Sequence, residues 1–526
     1  METKLAVPIA AGTIQQAKKQ IKAAKAAGAE IIELRIDYLD NLSVGLVKKL
    51  IDYAKAAAPA MPIIVTCRDK KEGGALDYTL QLRLEALISA LKAGADFIDF
   101  EYQNFLISQN QKMLRPALSQ VPKARLILSA HNFKTRFDNI VKLHHNISSA
   151  YPAAISKLVY TANHINDCFE AFDLLHNTAG GRIVFCMGEA GLISRIIAKK
   201  LGSFVTYASI DDKTATAPGQ LTVEQLKTIY RWDSINTDTE LYGLIGAPVA
   251  HSAGPVLHNA CFADIRANKL YLSLLVEGGK DDFNTFMSNV LDRPWLDFHG
   301  FSVTIPHKQS ALDYTIGSSG VVEPLAKKIG AVNTLLIDER RISAYNTDYA
   351  GAMDAITGAL DITRADLKDW PVAVIGAGGA ARAIVAGLAD AGAKIKIYNR
   401  TVEKAEKLAA DFHCDFASLD DLPDLNAKLV INTTSIGMYP NVDETPLPKE
   451  ILEPASPRLR RSGKDMVVFD TVYNPAETLL LKQAKKAGAK TIPGLSMFLS
   501  QAAAQFKLFT GQNANIETMR KILSSK

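Results

Sequence analysis

Cysteine is scarce and scattered: five in 526 residues, Cys67, Cys168, Cys186, Cys261 and Cys414, with no C-x-x-C pair and no histidine at ligand spacing. A disulfide scaffold and a structural zinc site are therefore excluded, and no metal is expected. A reducing compartment is the natural reading. Long apolar runs are missing too, since none reaches the roughly 18 residues a membrane-crossing helix needs. The opening Met1-Glu-Thr-Lys-Leu-Ala-Val-Pro-Ile-Ala10 passes almost at once into a strand-like run, without the charged and apolar regions of a secretory signal. The expected location is the cytoplasm, or the plastid stroma had a transit peptide preceded this numbering. Nor is one sign of charge in excess: 60 Lys plus Arg face 55 Asp plus Glu, a net +5 without a basic run. That balance implies no nucleic-acid or membrane partner. The 48% apolar and 22% charged fractions are those of a globular protein, and at roughly 150 residues per domain the length allows three or four units.

In the first half, short β-rich runs at 6–9, 31–36, 63–67, 97–100, 125–129, 155–160, 183–187 and 204–208 alternate with Ala/Lys/Leu-rich stretches of helical period. Eight such units in about 230 residues predict a (β/α)8 barrel, whose chemistry sits at the C-terminal ends of the strands. Those ends carry charge. Glu33, Arg35 and Asp37 share one face by the two-residue strand period, Cys67-Arg68 leads into Glu72-Gly-Gly, and the fifth run leads to His131. Lys157, within Ile155-Ser-Lys-Leu-Val159, is either ion-paired to a carboxylate or lowered in pKa for use as an amine nucleophile. A histidine ending the neighbouring strand favours the nucleophile, because imine formation needs a proton shuttle.

Together these pieces resemble the type I 3-dehydroquinate dehydratases: Glu33-Leu-Arg35-Ile-Asp37, Arg68 with Glu72-Gly-Gly, Ser129-Ala-His131-Asn, Ser156-Lys157-Leu, Met187-Gly with Ile193-Ser-Arg195, and Thr216-Ala-Pro-Gly-Gln220. The resemblance spans residues 4 to about 230. It implies a Schiff base on Lys157, proton transfer by His131, and orientation of that histidine by Glu72. It further implies a carboxylate clamp at Arg195, with Glu33, Arg35, Arg68, Thr216 and Gln220 holding hydroxyls and closing the site. Thr216 stands where many relatives have serine and Asn132 where some have aspartate. Both keep a hydrogen-bonding side chain.

The polar stretch 231–240 precedes a new strand at Leu241-Tyr-Gly-Leu-Ile-Gly246, which places the domain boundary there. Farther on, Pro371-Val-Ala-Val-Ile-Gly376-Ala-Gly378-Gly379-Ala380 reads as strand, glycine-rich turn and helix start, the context a dinucleotide fingerprint requires. The next strand ends in Asn399-Arg400-Thr401, where an NAD-specific fold often carries an acid for the ribose hydroxyls. Arginine there suits a 2′-phosphate, so NADP is the expected cofactor, with Asn399, Arg400, Thr401 and Lys404 at its adenosine end.

Around this fold lie Ser252-Ala-Gly254-Pro after His251, Ser302-Val-Thr304-Ile-Pro-His-Lys308, Gly330-Ala-Val-Asn333, Asn346-Thr-Asp348, Asn432-Thr-Thr-Ser-Ile-Gly-Met438, Asp470-Thr-Val-Tyr473 and Gly494 to Gln501. From about 240 to 520 the chain resembles the shikimate dehydrogenase family. That resemblance implies Lys308 and Asp348 as the catalytic pair, Asn333 and Gln501 on substrate hydroxyls, Ser252, Thr304 and Tyr473 near the substrate, and Met438 near the nicotinamide. The family pattern H-S-x-S-P has a second serine where Gly254 stands. Either a bound water replaces its hydroxyl and shikimate is preferred, or the vacated volume admits quinate.

The expected architecture is thus a barrel (1–232) fused to a two-lobed α/β dehydrogenase, with a substrate lobe (240–345, completed by 480–526) and a Rossmann lobe (346–479). The expected activity is bifunctional. It comprises dehydration of 3-dehydroquinate to 3-dehydroshikimate and NADPH-dependent reduction to shikimate, with small molecules as the only obligatory partners. A metabolite sensor without turnover is the rival, and the presence of Lys157, His131 and Lys308 speaks against it.

Overall fold

The computed structural model describes residues 2–214, 216, 219–250, 252–447, 451 and 466–524; Ala217, Pro218 and His251 of the motifs lie outside them. Sequence punctuation sets the first helix, Ile14–Ala27. Thr13 caps its start by accepting from Gln16 N–H, and Gly28 ends it in the left-handed region at φ 87°. Ala17, Ile21 and Ala24, spaced by four and three, are its buried face.

Repetition of this unit yields eight parallel strands: β1 (Lys4–Ile9), β2 (Ile31–Arg35), β3 (Ile63–Thr66), β4 (Phe97–Glu101), β5 (Arg125–Asn132), β6 (Ile155–Thr161), β7 (Arg182–Met187) and β8 (Val205–Tyr207). They lie in the order β7-β6-β5-β4-β3-β2-β1-β8. The ring comes together where Phe204 N–H donates to Arg182 O at 2.7 Å, giving the expected (β/α)8 barrel. Ala6, Ile31, Ile64, Ile127, Ile155 and Ile183 pack as an apolar plug. Two residues farther along their strands the inward positions become Glu33, Thr66, Ser129 and Lys157, with Ser129 in register with Lys157. The plug therefore seats a polar layer directly above it.

One expectation needs correction. Strand β2 stops at Arg35, and Ile36–Tyr38 form a 3-10 turn. Asp37 therefore does not continue the stripe; it folds back onto Arg35 with bonds of 2.9 and 2.8 Å.

By compactness the chain divides into Met1–Leu241 with 266–277 and 285–297, and Tyr242–Ile265 with 278–284 and 298–526. In the second unit, Phe298–Val303, Thr334–Asp338 and Arg341–Tyr345 pair antiparallel, and Val321–Val322 joins the last in parallel. The C-terminal six-stranded sheet is parallel, from Pro371–Ile375, Lys394–Asn399, Asp415–Ser418, Leu429–Asn432, Val467–Asp470 and Lys490–Pro493. Its spatial order, third-second-first-fourth-fifth-sixth, is the doubly wound dinucleotide arrangement. Among the described residues no helix is long and apolar enough to cross a membrane, and no group of His, Cys, Asp and Glu could hold a metal.

Two candidate active sites

One barrel cavity is lined by all nine residues expected there: Glu33, Arg35, Arg68, Glu72, His131, Lys157, Arg195, Thr216 and Gln220. Lys157 rises from β6 through the polar layer and donates to Asp99 Oδ2 (2.8 Å), Tyr207 OH (3.1 Å) and Glu33 Oε1 (3.4 Å). Burial alone would depress its amine, but the two carboxylates outweigh burial and push it up. Lys157 is thus ion-paired to Asp99 and Glu33.

Beside it, Glu72 Oε2 accepts from the His131 backbone N–H (3.2 Å) and bonds its Nδ1 (2.9 Å). Burial holds the imidazole well below its ordinary value, helped by Arg68 and Lys157, and raises Glu72 to about 7. With Nδ1–H on Glu72, Nε2 presents a lone pair to the cavity. Phe133 stacks against the His131 ring with centroids 6.1 Å apart. Gly73 allows this, since a Cβ there would stand 2.5 Å from the Phe133 ring.

Arg195 differs from every other cation in the cavity. It is buried over the Phe185 ring at 4.3 Å, its Nη2 meets no acceptor among the described residues, and burial lowers it to about 10. Gln220 accepts from Thr216 N–H (2.8 Å) and Oγ1 (3.2 Å), and its buried Nε2 has no partner among the described residues. Unmatched donors of this kind predict a ligand bearing a carboxylate and hydroxyls. Arg68, by contrast, is committed: it donates to Asp99 (2.7 Å), Glu101 (2.9 Å) and Ser129 (2.6 Å). It holds the carboxylates under Lys157 while its edge lines the cavity. Asp99 and Tyr207 escaped sequence reasoning. The alternation Phe97-Ile-Asp99-Phe-Glu101, two carboxylates on one face of an otherwise apolar strand, was the available signal for the first.

In the second unit, Lys308 heads the helix Lys308–Gly317 and Asp348 the helix Asp348–Leu360, and Lys308 Nζ bonds Asp348 Oδ2. Asp348 N–H is anchored on Asn346 Oδ1 (3.0 Å). Asn333 is tied into the same turn: its Oδ1 accepts from Thr347 N–H (2.9 Å) and its Nδ2 donates to Thr347 Oγ1 (2.9 Å). One amide hydrogen remains for a ligand. Ser252 Oγ accepts from Gly254 N–H (3.1 Å) and bonds the Tyr473 phenol, whose ring stacks on Phe498 at 4.1 Å. Thr304 packs against Gly246, where a Cβ would lie 2.4 Å from its methyl. Gln501 Nε2 donates to Phe498 O (3.2 Å), and its stem meets Gly351 on the Asp348 helix.

The glycine-rich turn adjoins this group, because a Cβ on Gly379 would stand 2.8 Å from Lys308 Cδ. Gly376 has φ 111° and lies against Thr433, whereas Gly378 faces open space at the uncapped start of Gly379–Asp390. A helix start of this kind, with Ala380 in its first turn, presents N–H groups and the positive end of the helix dipole, which suit an anion such as a pyrophosphate. Past Lys394–Asn399, Asn399 Nδ2 closes a turn on Thr401 O (2.8 Å). Arg400, Thr401 and Lys404 are exposed, and Arg400 has no ion pair among the described residues. A basic strand end without an acid fits a 2′-phosphate. Met438 is half-buried after Gly437.

Comparison with known proteins agrees along the chain. Residues 5–237 match the type I 3-dehydroquinase family and 244–335 the shikimate dehydrogenase substrate binding domain. Residues 359–470 match the shikimate / quinate 5-dehydrogenase family and 494–523 the shikimate 5'-dehydrogenase C-terminal domain. A chloroplastic bifunctional 3-dehydroquinate dehydratase/shikimate dehydrogenase of Arabidopsis thaliana is 35% identical over 99% of this chain and 84% of that protein. A shikimate dehydrogenase (NADP(+)) of Methanocaldococcus jannaschii is 41% identical over 56% of this chain and 99% of its own length. A solved dehydroquinate dehydratase and shikimate dehydrogenase from S. pombe is 25% identical, covers all of this chain and 98% of that one, and has a TM-score of 0.42.

Proposed function

The chain belongs to the family of bifunctional 3-dehydroquinate dehydratase/shikimate dehydrogenases, and from that membership and the two geometries we propose how each half works. The barrel dehydrates 3-dehydroquinate to 3-dehydroshikimate; the second half reduces that ketone to shikimate with NADPH. Arg195 binds the ring carboxylate, and Gln220, Thr216, Arg35 and Glu33 hold hydroxyls. Lys157 forms an imine with the ketone. The protonated imine is an electron sink, so the adjacent C–H becomes acidic enough for neutral His131 to take its proton before hydroxyl leaves as water. Glu72 fixes the tautomer of His131.

Bound NADPH supplies the hydride for the second reaction. Gly376, Gly378, Gly379 and Ala380 would hold its pyrophosphate, Asn399, Arg400, Thr401 and Lys404 its phosphorylated ribose, and Met438 would pack by its ring. Lys308 gives the developing alkoxide a proton, Asp348 orients Lys308, and Asn333, Gln501, Ser252, Thr304 and Tyr473 position the ring. We assign 1–232 to the dehydratase, 240–345 with 480–526 to the substrate lobe and 346–479 to the nucleotide lobe. Five dispersed free thiols suit a reducing compartment, cytoplasm or plastid stroma. Quinate turnover is a finer reading that rests on Gly254 alone.

The buried Arg195, whose Nη2 has no partner among the described residues and which lines the same cavity as Lys157, is the observation that carries the dehydratase reading. Borohydride added with 3-dehydroquinate should leave a reduced adduct on Lys157, found by peptide mass. No adduct, or one on another lysine, would refute it.

A further inference from the structure

Three acceptors share the Lys157 ammonium, and they are not equivalent. Asp99 is fully buried, accepts from Ser129 Oγ at 2.6 Å and is ion-paired to Arg68. It does not line the cavity, whereas Glu33 and Tyr207 do. A ketone carbon approaching Nζ therefore enters on the Glu33–Tyr207 side. Glu33 already accepts the Thr66 hydroxyl at 2.8 Å; Tyr207 alone carries a hydrogen on oxygen to give. Burial and the nearby Glu33 raise the phenol, so it stays protonated at working pH.

Imine formation conserves a simple balance. Ketone plus ammonium become protonated imine plus water: nitrogen bonds the carbonyl carbon, the carbon–oxygen bond breaks, and two of the three N–H protons leave in the water. The third stays on nitrogen, towards Asp99. We propose that Tyr207 is a catalytic residue of this step, taking one N–H proton on its phenol oxygen while passing its own O–H proton to the departing oxygen. It ends neutral, as it began, and no further reactant is required. The other proton reaches oxygen through His131. The inference rests on the Schiff-base reading of Lys157.

Ring packing alone is the competing explanation, since Tyr207 also meets Phe185 with centroids 5.6 Å apart. Tyr207→Phe keeps the ring and removes only the hydroxyl. In the full chain kcat for 3-dehydroquinate should fall about 10–100-fold, the range for losing one preorganised donor or proton-transfer group. KM should stay within about threefold, and the single-turnover rate of borohydride trapping should fall by the same factor as kcat. A kcat within about twofold of the parent, or trapping at the parental rate, overturns the proposal. The unmodified enzyme supplies a test independent of the variant's folding: in mixed light and heavy water its trapping rate should bow, as two protons in flight require. A linear dependence overturns the relay. Absence of any Lys157 adduct in the unmodified enzyme would instead sink the Schiff-base reading itself, before Tyr207 is reached.

Discussion

Gly379→Ala adds one methyl group where the two lobes of the dehydrogenase chemistry meet. Its Cβ would lie 2.8 Å from Lys308 Cδ, 3.5 Å from Cβ and 3.6 Å from Cγ. Carbon atoms rest at about 3.5–4.0 Å, so the lysine stem must retreat by about 0.7 Å or more. Lys308 cannot do so freely, because it opens its helix and Nζ is held by Asp348. Misplacement of a catalytic group by about 1 Å costs about 100-fold, so kcat for shikimate oxidation should drop about 10–100-fold. Stability should not drop with it, since alanine is a better helix former than glycine by about 1 kcal/mol, enough to offset a modest clash. The assay is steady-state shikimate oxidation at saturating NADP+, with dehydratase turnover of the same sample as a control for intact protein. An unchanged kcat refutes the reasoning. So does a rise confined to the KM for NADP+, which would make Gly379 part of the cofactor cradle only.

Glu72, raised to about 7 by burial, should place the acid limb of dehydratase kcat/KM near pH 7, because protonation removes the anion that orients His131; Glu72→Gln should lower kcat and abolish that limb. Since folding raises this pKa from 4.5, its stability contribution is fully present below about pH 4.5 and lost as pH rises through 7; urea melts at pH 4.5 and 8 compare it with the Gln variant. Arg400→Glu should raise the KM for NADP+ about 10–100-fold, the worth of a charge-assisted hydrogen bond and its reversal, with little change for NAD+; an unaltered NADP+/NAD+ ratio contradicts the assignment. Gly254→Ser restores one donor and should raise kcat/KM for shikimate about 3–10-fold. Quinate oxidation by the parent, lost in the serine variant, would establish the quinate reading; no quinate turnover removes it.

The fold was largely legible because its signals are local and repeated. Thr13 and Gly28, or Gly376 to Gly379 between strand and helix, reveal their elements within a few residues, and eight repeats leave few topologies. What failed was extrapolation past a strand end. A two-residue period carried to Asp37 assumed extended backbone, yet a carboxylate that reaches Arg35 two residues away and accepts Ala75 N–H at 3.0 Å stabilises a turn instead. Arg68 shows the same limit: its position was evident, but three partners on β4 and β5 were not.

Lys157 shows why part of the site stayed hidden. A lysine among apolar neighbours must be paired or neutral, and its own strand cannot say which, because Glu33, Asp99 and Tyr207 stand 124, 58 and 50 residues away. Pairing and nucleophilicity then look like rivals, yet in the proposed mechanism they are successive. The carboxylates of Asp99 and Glu33 keep the ammonium stable within a buried layer. In the proposed mechanism the arriving ketone needs two of the ammonium's protons for the water it releases. The buried charge would then be a store of protons for that step, held where two of its three acceptors, Tyr207 and Glu33, line the cavity. A lysine kept neutral from the start carries only two N–H protons, so the third, which leaves the imine protonated, would have to be imported from solvent into a buried layer.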